Sequence, residues 1–190
     1  ISENINEIDT ISKKLILLNE KRKLIENEIY NEAIKQVSNQ KDSKFILIYA
    51  DNWFKGVLGI IASRIVNDFF KPVFVISFDD NYGFGSARSI DTINLTNIIF
   101  EAKNQGILIS GGGHSMAAGL KIKKDKISEF KKFLHNYLNT YEESKFQKKL
   151  FYVDKISIDQ IQSSIIKDLQ ILEPFGTGNE EPTFVFTDIN

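Results

Sequence analysis

Residues 3–41 contain neither glycine nor proline, and apolar side chains recur at Ile8, Ile11, Leu15, Leu18, Ile25, Ile29, Ala33 and Val37 among Lys, Glu and Asn. That spacing is helical. A helix of about 35 residues, at 1.5 Å rise per residue, runs to roughly 50 Å, several times the usual globular length. So long a helix has little core of its own. Residues 1–41 are therefore expected to connect two domains, and the chain is expected to begin mid-protein.

The core must come from residues beyond this helix. Lys44 to Ala50 (KFILIYA) is a continuous apolar run of strand length, as in a strand buried on both faces. Val57 to Phe70 is helical in pattern. Pro72 to Phe78 (PVFVISF) predicts a second buried strand with proline at its first position. Tyr82 to Ile90 predicts a third, glycine-rich strand. A helix around Leu95 to Asn104, a short strand Ile107–Ser110 feeding a glycine cluster, a strand at Leu120–Ile122 and an amphipathic helix over Lys126 to Glu143 complete the series. The alternation predicts an α/β fold, an open mixed sheet flanked by helices over residues 42–145. The strands are expected to be parallel, which would turn the loops at 53–59 and 112–114 toward one cleft. After the polar stretch 144–149, residues 146–190 carry a short strand (Phe151–Ile158), a helix to about Leu172, a Gly/Pro turn and a strand near Thr183–Thr187. That is too little for an independent core, and it reads as the start of a truncated α+β domain.

Of the 190 residues, 42% are hydrophobic, including fifteen Phe, enough for a packed interior. The formal net charge is −1, so no global basic field exists and any phosphate site must be local. No run approaches the roughly 18 apolar residues of a membrane span, the N-terminus lacks the pattern of a signal peptide, and a chain without cysteine suits a reducing cytosol, so a cytoplasmic protein is expected. The absence of cysteine excludes disulfides and thiolate metal sites, and the two histidines, His114 and His135, exclude a histidine-rich metal centre.

Three segments could carry chemistry. Gly111-Gly112-Gly113-His114-Ser115-Met116-Ala117-Ala118-Gly119 clears side chains from one patch of backbone, whose amides can converge on an anion beside the His114 donor. The bland alternative is a turn with a structural histidine. Gly83-Phe84-Gly85-Ser86-Ala87-Arg88-Ser89 is not a dinucleotide fingerprint, because Arg88 stands at the third glycine position. Arg88 instead offers a planar fork for phosphate oxygens between the Ser86 and Ser89 hydroxyls, or it is a surface arginine on an edge strand. Trp53 to Gly59 joins the first strand to its helix, where ligands of open α/β sheets sit, with Ser63 and Arg64 following. The bland alternative packs Trp53 in the core and pairs Arg64 at the surface. Lys121 to Lys126 reads as a solvated face with a minor prospect of touching DNA. The acidic residues Asp79, Asp80 and Asp91 do not cluster as two-metal hydrolysis requires.

These segments, in this order, resemble the RecJ family of single-strand-specific 5′→3′ exonucleases. Its DHH-associated domain has W-x-x-G-V-x-G-I-x-A-S-R, matched from Trp53 to Arg64, then G-S-x-R-S, matched at Gly85, Ser86, Arg88 and Ser89. G-G-H-x-M-A-A-G-L comes next, matched from Gly112 to Leu120. Leu18-Asn19-Glu20-Lys21-Arg22 is similar to the family's L-N-x-x-R in its connecting helix. Leu172 to Asn179 (LEPFGTGN) is similar to the entry of its OB-type domain, although Glu180-Glu181 departs from the usual N-P-x-P. The resemblance implies that Ser86, Arg88, Ser89, Gly112, Gly113, His114, Trp53 and Arg64 bind the DNA strand or its phosphates, and that no residue here is catalytic unless His114 assists. It implies a separate DHH domain that holds Mn²⁺ or Mg²⁺ and hydrolyses the strand, so that this chain has no metal site and is inactive alone. The implied setting is DNA repair and recombination, as a monomer with single-stranded DNA and repair proteins as partners. The alternatives are part of a DHH phosphodiesterase for oligonucleotides or cyclic dinucleotides, or a non-catalytic RNA- or tRNA-binding module.

Overall fold

The structure, a computed structural model, describes residues 4–40, 42–158, 161 and 163–186. It divides into two compact units, Ile1–Gln147 and Lys148–Asn190.

In the first unit, α1 (Ile5–Val37) is one unbroken helix of 33 residues, opened by Asn4, whose side chain accepts from the N–H groups of Asn6 and Glu7. Residues 3 and 41, the ends expected from sequence, lie outside the described residues. Only its last third is buried, through Ile29, Ala33 and Val37, while Ile5, Leu15 and Leu24 stay exposed. The remaining elements are β1 (Ile46–Asp51), α2 (Leu58–Phe69), β2 (Val73–Asp79), β3 (Tyr82–Arg88), α3 (Leu95–Asn104), β4 (Leu108–Gly113), β5 (Ala117–Lys123) and α4 (Ile127–Asn139). The expected α/β fold with an open mixed sheet is what forms.

The strands lie in the order β1-β2-β3-β5-β4. Only β1 and β2 are parallel; β3, β5 and β4 pair antiparallel. This corrects the expectation of parallel strands, and with it that of a shared cleft: β4 runs opposite to β1, so the loops that follow them, at 53–59 and 112–114, begin at opposite ends of the sheet. α2 supplies a crossover between β1 and β2, but only Asp80 and Asn81 separate β2 from β3, and so short a link permits only a hairpin. Asp80 takes a left-handed φ of 50° to make that turn. The strand expected to stop at Ser110 also continues through the glycine cluster to Gly113, paired along β5.

α3 and α4 cover one face. The Phe74 ring meets Phe130 edge-on at 5.5 Å, and the Ile99 side chain fills the space above Gly111. α2 packs on the opposite face, against β2 and β3. At the β1 edge the end of α1 and the 3₁₀ turn that follows it, Ser38–Gln40, take the place of a sixth strand. Gln36 Nε2 donates to the Tyr49 carbonyl at 2.9 Å while Gln36 Oε1 accepts from Tyr49 N–H at 3.2 Å. One turn on, Gln40 makes the same pair with Leu47, at 3.0 and 3.1 Å. Two side-chain amides thereby satisfy the backbone that an edge strand leaves open for misassociation.

In the second unit, β6 (Asp154–Ile156) pairs parallel with β7 (Phe184–Phe186), and α5 (Ser163–Gln170) lies between them in sequence. Thr187, the expected end of the last strand, lies outside the described residues. The Asn179 side chain donates to the carbonyls of Leu172 and Pro174, closing the Gly/Pro turn upon itself.

Candidate nucleic-acid interface

Side chains alternate across a strand, so Tyr82, Phe84, Ser86 and Arg88 project from one face of β3 while Gly83, Gly85 and Ala87 face α3 and α4. Register carries that face across the sheet: Ser86 lies opposite Gly119, which lies opposite Gly112, and Arg88 lies opposite Ala117. Arg88 therefore sits at the end of the central strand, not on an edge. Its Nη1 donates to Ser86 Oγ at 3.2 Å and to the Ala87 carbonyl at 2.9 Å. Among the described residues no carboxylate pairs with it.

The first turn of α2 closes over this guanidinium. A Cβ built on Gly59 would stand 2.9 Å from Arg88 Nη2 and 3.1 Å from Ser86 Oγ, and no side chain caps the helix. An unpaired cation at the positive end of a helix is electrostatically uncomfortable until an anion joins it. Gly59→Ala therefore separates stability from binding. Helix propensity favours alanine by up to about 1 kcal/mol, whereas the new methyl must push aside the Arg88 and Ser86 tips. We expect an unchanged or raised melting temperature and weaker oligonucleotide binding. A variant that bound as well as the native chain would show that the Arg88 position is not what the strand requires.

The β4–β5 turn is tied to the same place. His114 N–H donates to the Ala117 carbonyl at 2.8 Å, Ser89 N–H to the Met116 carbonyl at 3.0 Å, and Leu95 N–H to the Ser115 carbonyl at 2.9 Å. These bonds bring the turn to the end of β3 and the start of α3, with the His114 side chain exposed. The His114 amide is thus engaged within the hairpin, while Gly112, paired with Gly119, is exposed and a Cβ there would meet nothing within 4 Å. Ser89 is buried and its hydroxyl donates to the Ile93 carbonyl at 2.7 Å, so it braces the chain after β3.

Trp53 and Arg64 are placed elsewhere. Trp53 is 6% exposed, its indole Nε1 donates to Glu32 Oε2 of α1 at 2.9 Å, and its carbonyl accepts from the Ser77 hydroxyl. Arg64 pairs with Glu26 at 3.1 Å, bonds Asn27, and stacks over the Tyr30 ring at 3.7 Å. The Tyr30 hydroxyl donates to Asp68 at 2.6 Å, and that bond raises its pKa above the ordinary tyrosine value. Both residues fasten α1 to the sheet domain. Trp53 emission is accordingly expected to be that of a buried indole and to stay unchanged as single-stranded DNA saturates the chain. A quenched or shifted spectrum at saturation would put the strand against Trp53.

Sequence reading passed over the neighbours of Arg88 on β3. Lys55 Nζ lies 4.0 Å from the Phe84 ring centre and also pairs with Asp79; Lys121 Nζ lies 5.0 Å from Tyr82 and 5.2 Å from Phe84. The signal was the alternation Tyr-Gly-Phe-Gly-Ser-Ala-Arg, which puts every functional type on one face. Among the described residues no three His, Asp or Glu side chains gather to hold a metal ion, so they do not fit a two-metal centre. Nor is any helix there long and apolar enough to cross a membrane.

Comparison with known proteins gives a DHHA1 domain over residues 22–140 and a RecJ OB domain over residues 154–190. The chain is 32% identical over 187 residues to the single-stranded-DNA-specific exonuclease RecJ of Bacillus subtilis, covering 96% of this chain and 23% of that protein. With the Escherichia coli exonuclease of the same name it is 28% identical over 193 residues, covering 97% of the chain and 33% of the relative. The crystal structure of Thermus thermophilus RecJ in complex with Mn²⁺ matches with a TM-score of 0.85 at 25% identity, over 97% of this chain and 27% of that one. The chain thus spans about a quarter to a third of the length of these relatives.

Proposed function

The chain belongs to the DHHA1 domain family, and from that premise we propose that it is the strand-gripping part of a RecJ-type 5′→3′ exonuclease, holding single-stranded DNA by its phosphates while a separate two-metal domain hydrolyses it. The observation that carries this reading is Arg88: a half-buried guanidinium with no carboxylate partner among the described residues, set between Ser86 and the uncapped start of α2. A planar fork with free donors beside a helix N-terminus suits a tetrahedral phosphate oxyanion. Arg88 and Ser86 would bind two of its oxygens, exposed Gly112 would let the backbone approach a neighbouring phosphate, and His114 would assist from the adjoining turn. Ser89, Trp53 and Arg64 support these groups from behind.

Mn²⁺ and Mg²⁺ accompany the solved Thermus thermophilus relative. The described residues offer no cluster for them, and in this reading the separate domain would hold them. The test has two arms. Anisotropy of a labelled, 5′-phosphorylated single-stranded oligonucleotide should show binding that falls steeply with salt. The same chain with Mn²⁺ should release no nucleotides. Chelator-sensitive release by a nuclease-free preparation would overturn the division of labour, and clear preference for tRNA would favour an RNA-binding role.

A further inference from the structure

The face that carries the phosphate cradle continues along β3 into aromatic side chains. Tyr82 and Phe84 precede Ser86 and Arg88 at alternate positions, so the four project together at a repeat of about 6.8 Å. Across the sheet Tyr82 faces Lys123, and Phe84 lies between Ser77 and Lys121. None of these neighbours is apolar. A ring that served only to fill a core would be set among aliphatic side chains, as Phe74 is on the opposite face. Tyr82 instead is 45% exposed, and Lys55 and Lys121 lie over the Phe84 ring at 4.0 and 5.2 Å. Ammonium groups resting on ring faces occupy the place that a stacked base would take, and lysine stems are flexible enough to swing from ring to phosphate.

We propose that Tyr82 and Phe84 form a base-stacking platform that extends the Arg88–Ser86 cradle along β3, with Lys55 and Lys121 passing from the rings to the phosphates when a strand binds. The proposal rests on the phosphate-binding role of Arg88 and names what selects the substrate. Stacking on protein rings requires bases that are not engaged in a duplex, and it tolerates any base because each presents a π-face. The platform therefore makes this face selective for unpaired strands without sequence preference.

The experiment compares a labelled deoxythymidine oligonucleotide with a fully abasic strand of the same length, on the native chain and on Phe84→Leu and Tyr82→Leu. The abasic strand keeps the phosphates and lacks the bases. The native chain is expected to prefer the base-bearing strand by about fivefold or more for each stacked base. Each variant should lose part of that preference while its affinity for the abasic strand is kept. Tyr82→Leu guards against a folding artefact, because its ring is exposed. A native chain that binds both strands equally, or variants that retain the full preference, would overturn the platform while leaving the phosphate cradle standing. Failure of the native chain to bind even the abasic strand in a salt-dependent way would sink the cradle and the platform together.

Discussion

Gly113→Ala is expected to destabilise the first unit by roughly 2–4 kcal/mol, while Gly112→Ala, one residue away, changes stability by less than about 0.5 kcal/mol. The backbone at Gly113 has a φ of 156°, and a Cβ there would lie 2.2 Å from the Ala117 carbonyl oxygen and 2.6 Å from the Ala118 Cα. Both are backbone atoms of the paired strand and have no rotamer through which to yield. The hairpin would have to open, and with it the bonds from Ser89 and Leu95 that anchor the turn. At Gly112 a Cβ meets nothing within 4 Å. In a domain of this size the difference corresponds to a fall of roughly 5–15 °C in melting temperature, read by circular dichroism on both variants. Equal melting temperatures would mean that the β4–β5 turn is not formed in this way. Gly112→Ala carries its own signature: a fold left intact, with weaker strand binding if backbone there approaches a phosphate.

Arg88→Ala has the largest expected effect on binding. Losing charge-assisted hydrogen bonds to a phosphate costs about 1.5–3 kcal/mol, or roughly 10- to 150-fold in affinity. The salt dependence of binding to single strands should also flatten by about 0.7 in log–log slope, one phosphate's share. Stability should hardly move, because the guanidinium donates only to Ser86 and to a neighbouring carbonyl and pairs with no carboxylate among the described residues. Titrations at several salt concentrations, alongside thermal melts, separate the outcomes. A large fall in melting temperature with unchanged affinity would return Arg88 to a structural role.

Elements dictated by local pattern were legible in the sequence. The apolar runs at 44–50 and 72–78 are β1 and β2, and the glycine- and proline-free stretch is α1. Strand direction was not legible, because Asp80-Asn81 makes a hairpin by its brevity and its left-handed turn, whereas the periodic pattern on either side is indifferent to direction. The glycine cluster looked like loop because glycine disfavours strands. In the fold, Gly111 leaves room for Ile99, and Gly83 and Gly85 leave room for the large side chains of neighbouring strands. Trp53 looked like a ligand-side aromatic because its partner, Glu32, comes from α1, a contact that no local window contains. Arg88 and Ser86 were visible as types, but their closeness to Gly59 depends on how α2 lands on β3.

The attachment of α1 can also be viewed mechanically. Glu26, Tyr30, Glu32 and Gln36 of the helix, with Gln40 in the turn just after it, grip the sheet domain by ion pair, ring stack, indole bond and the two amide clamps on β1. Ahead of Glu26 the helix runs on toward Ile5 as a beam about 30 Å long, fixed at one end. Angular play in such a beam grows with distance: about 5° at the grip displaces the tip by nearly 3 Å, the scale on which a hydrogen bond is made or lost. The stiffness of those few side-chain contacts therefore sets how accurately anything carried by the far end can be aimed at Arg88. Softening them, as Gln36→Ala or Glu26→Ala would, degrades alignment before it degrades the fold.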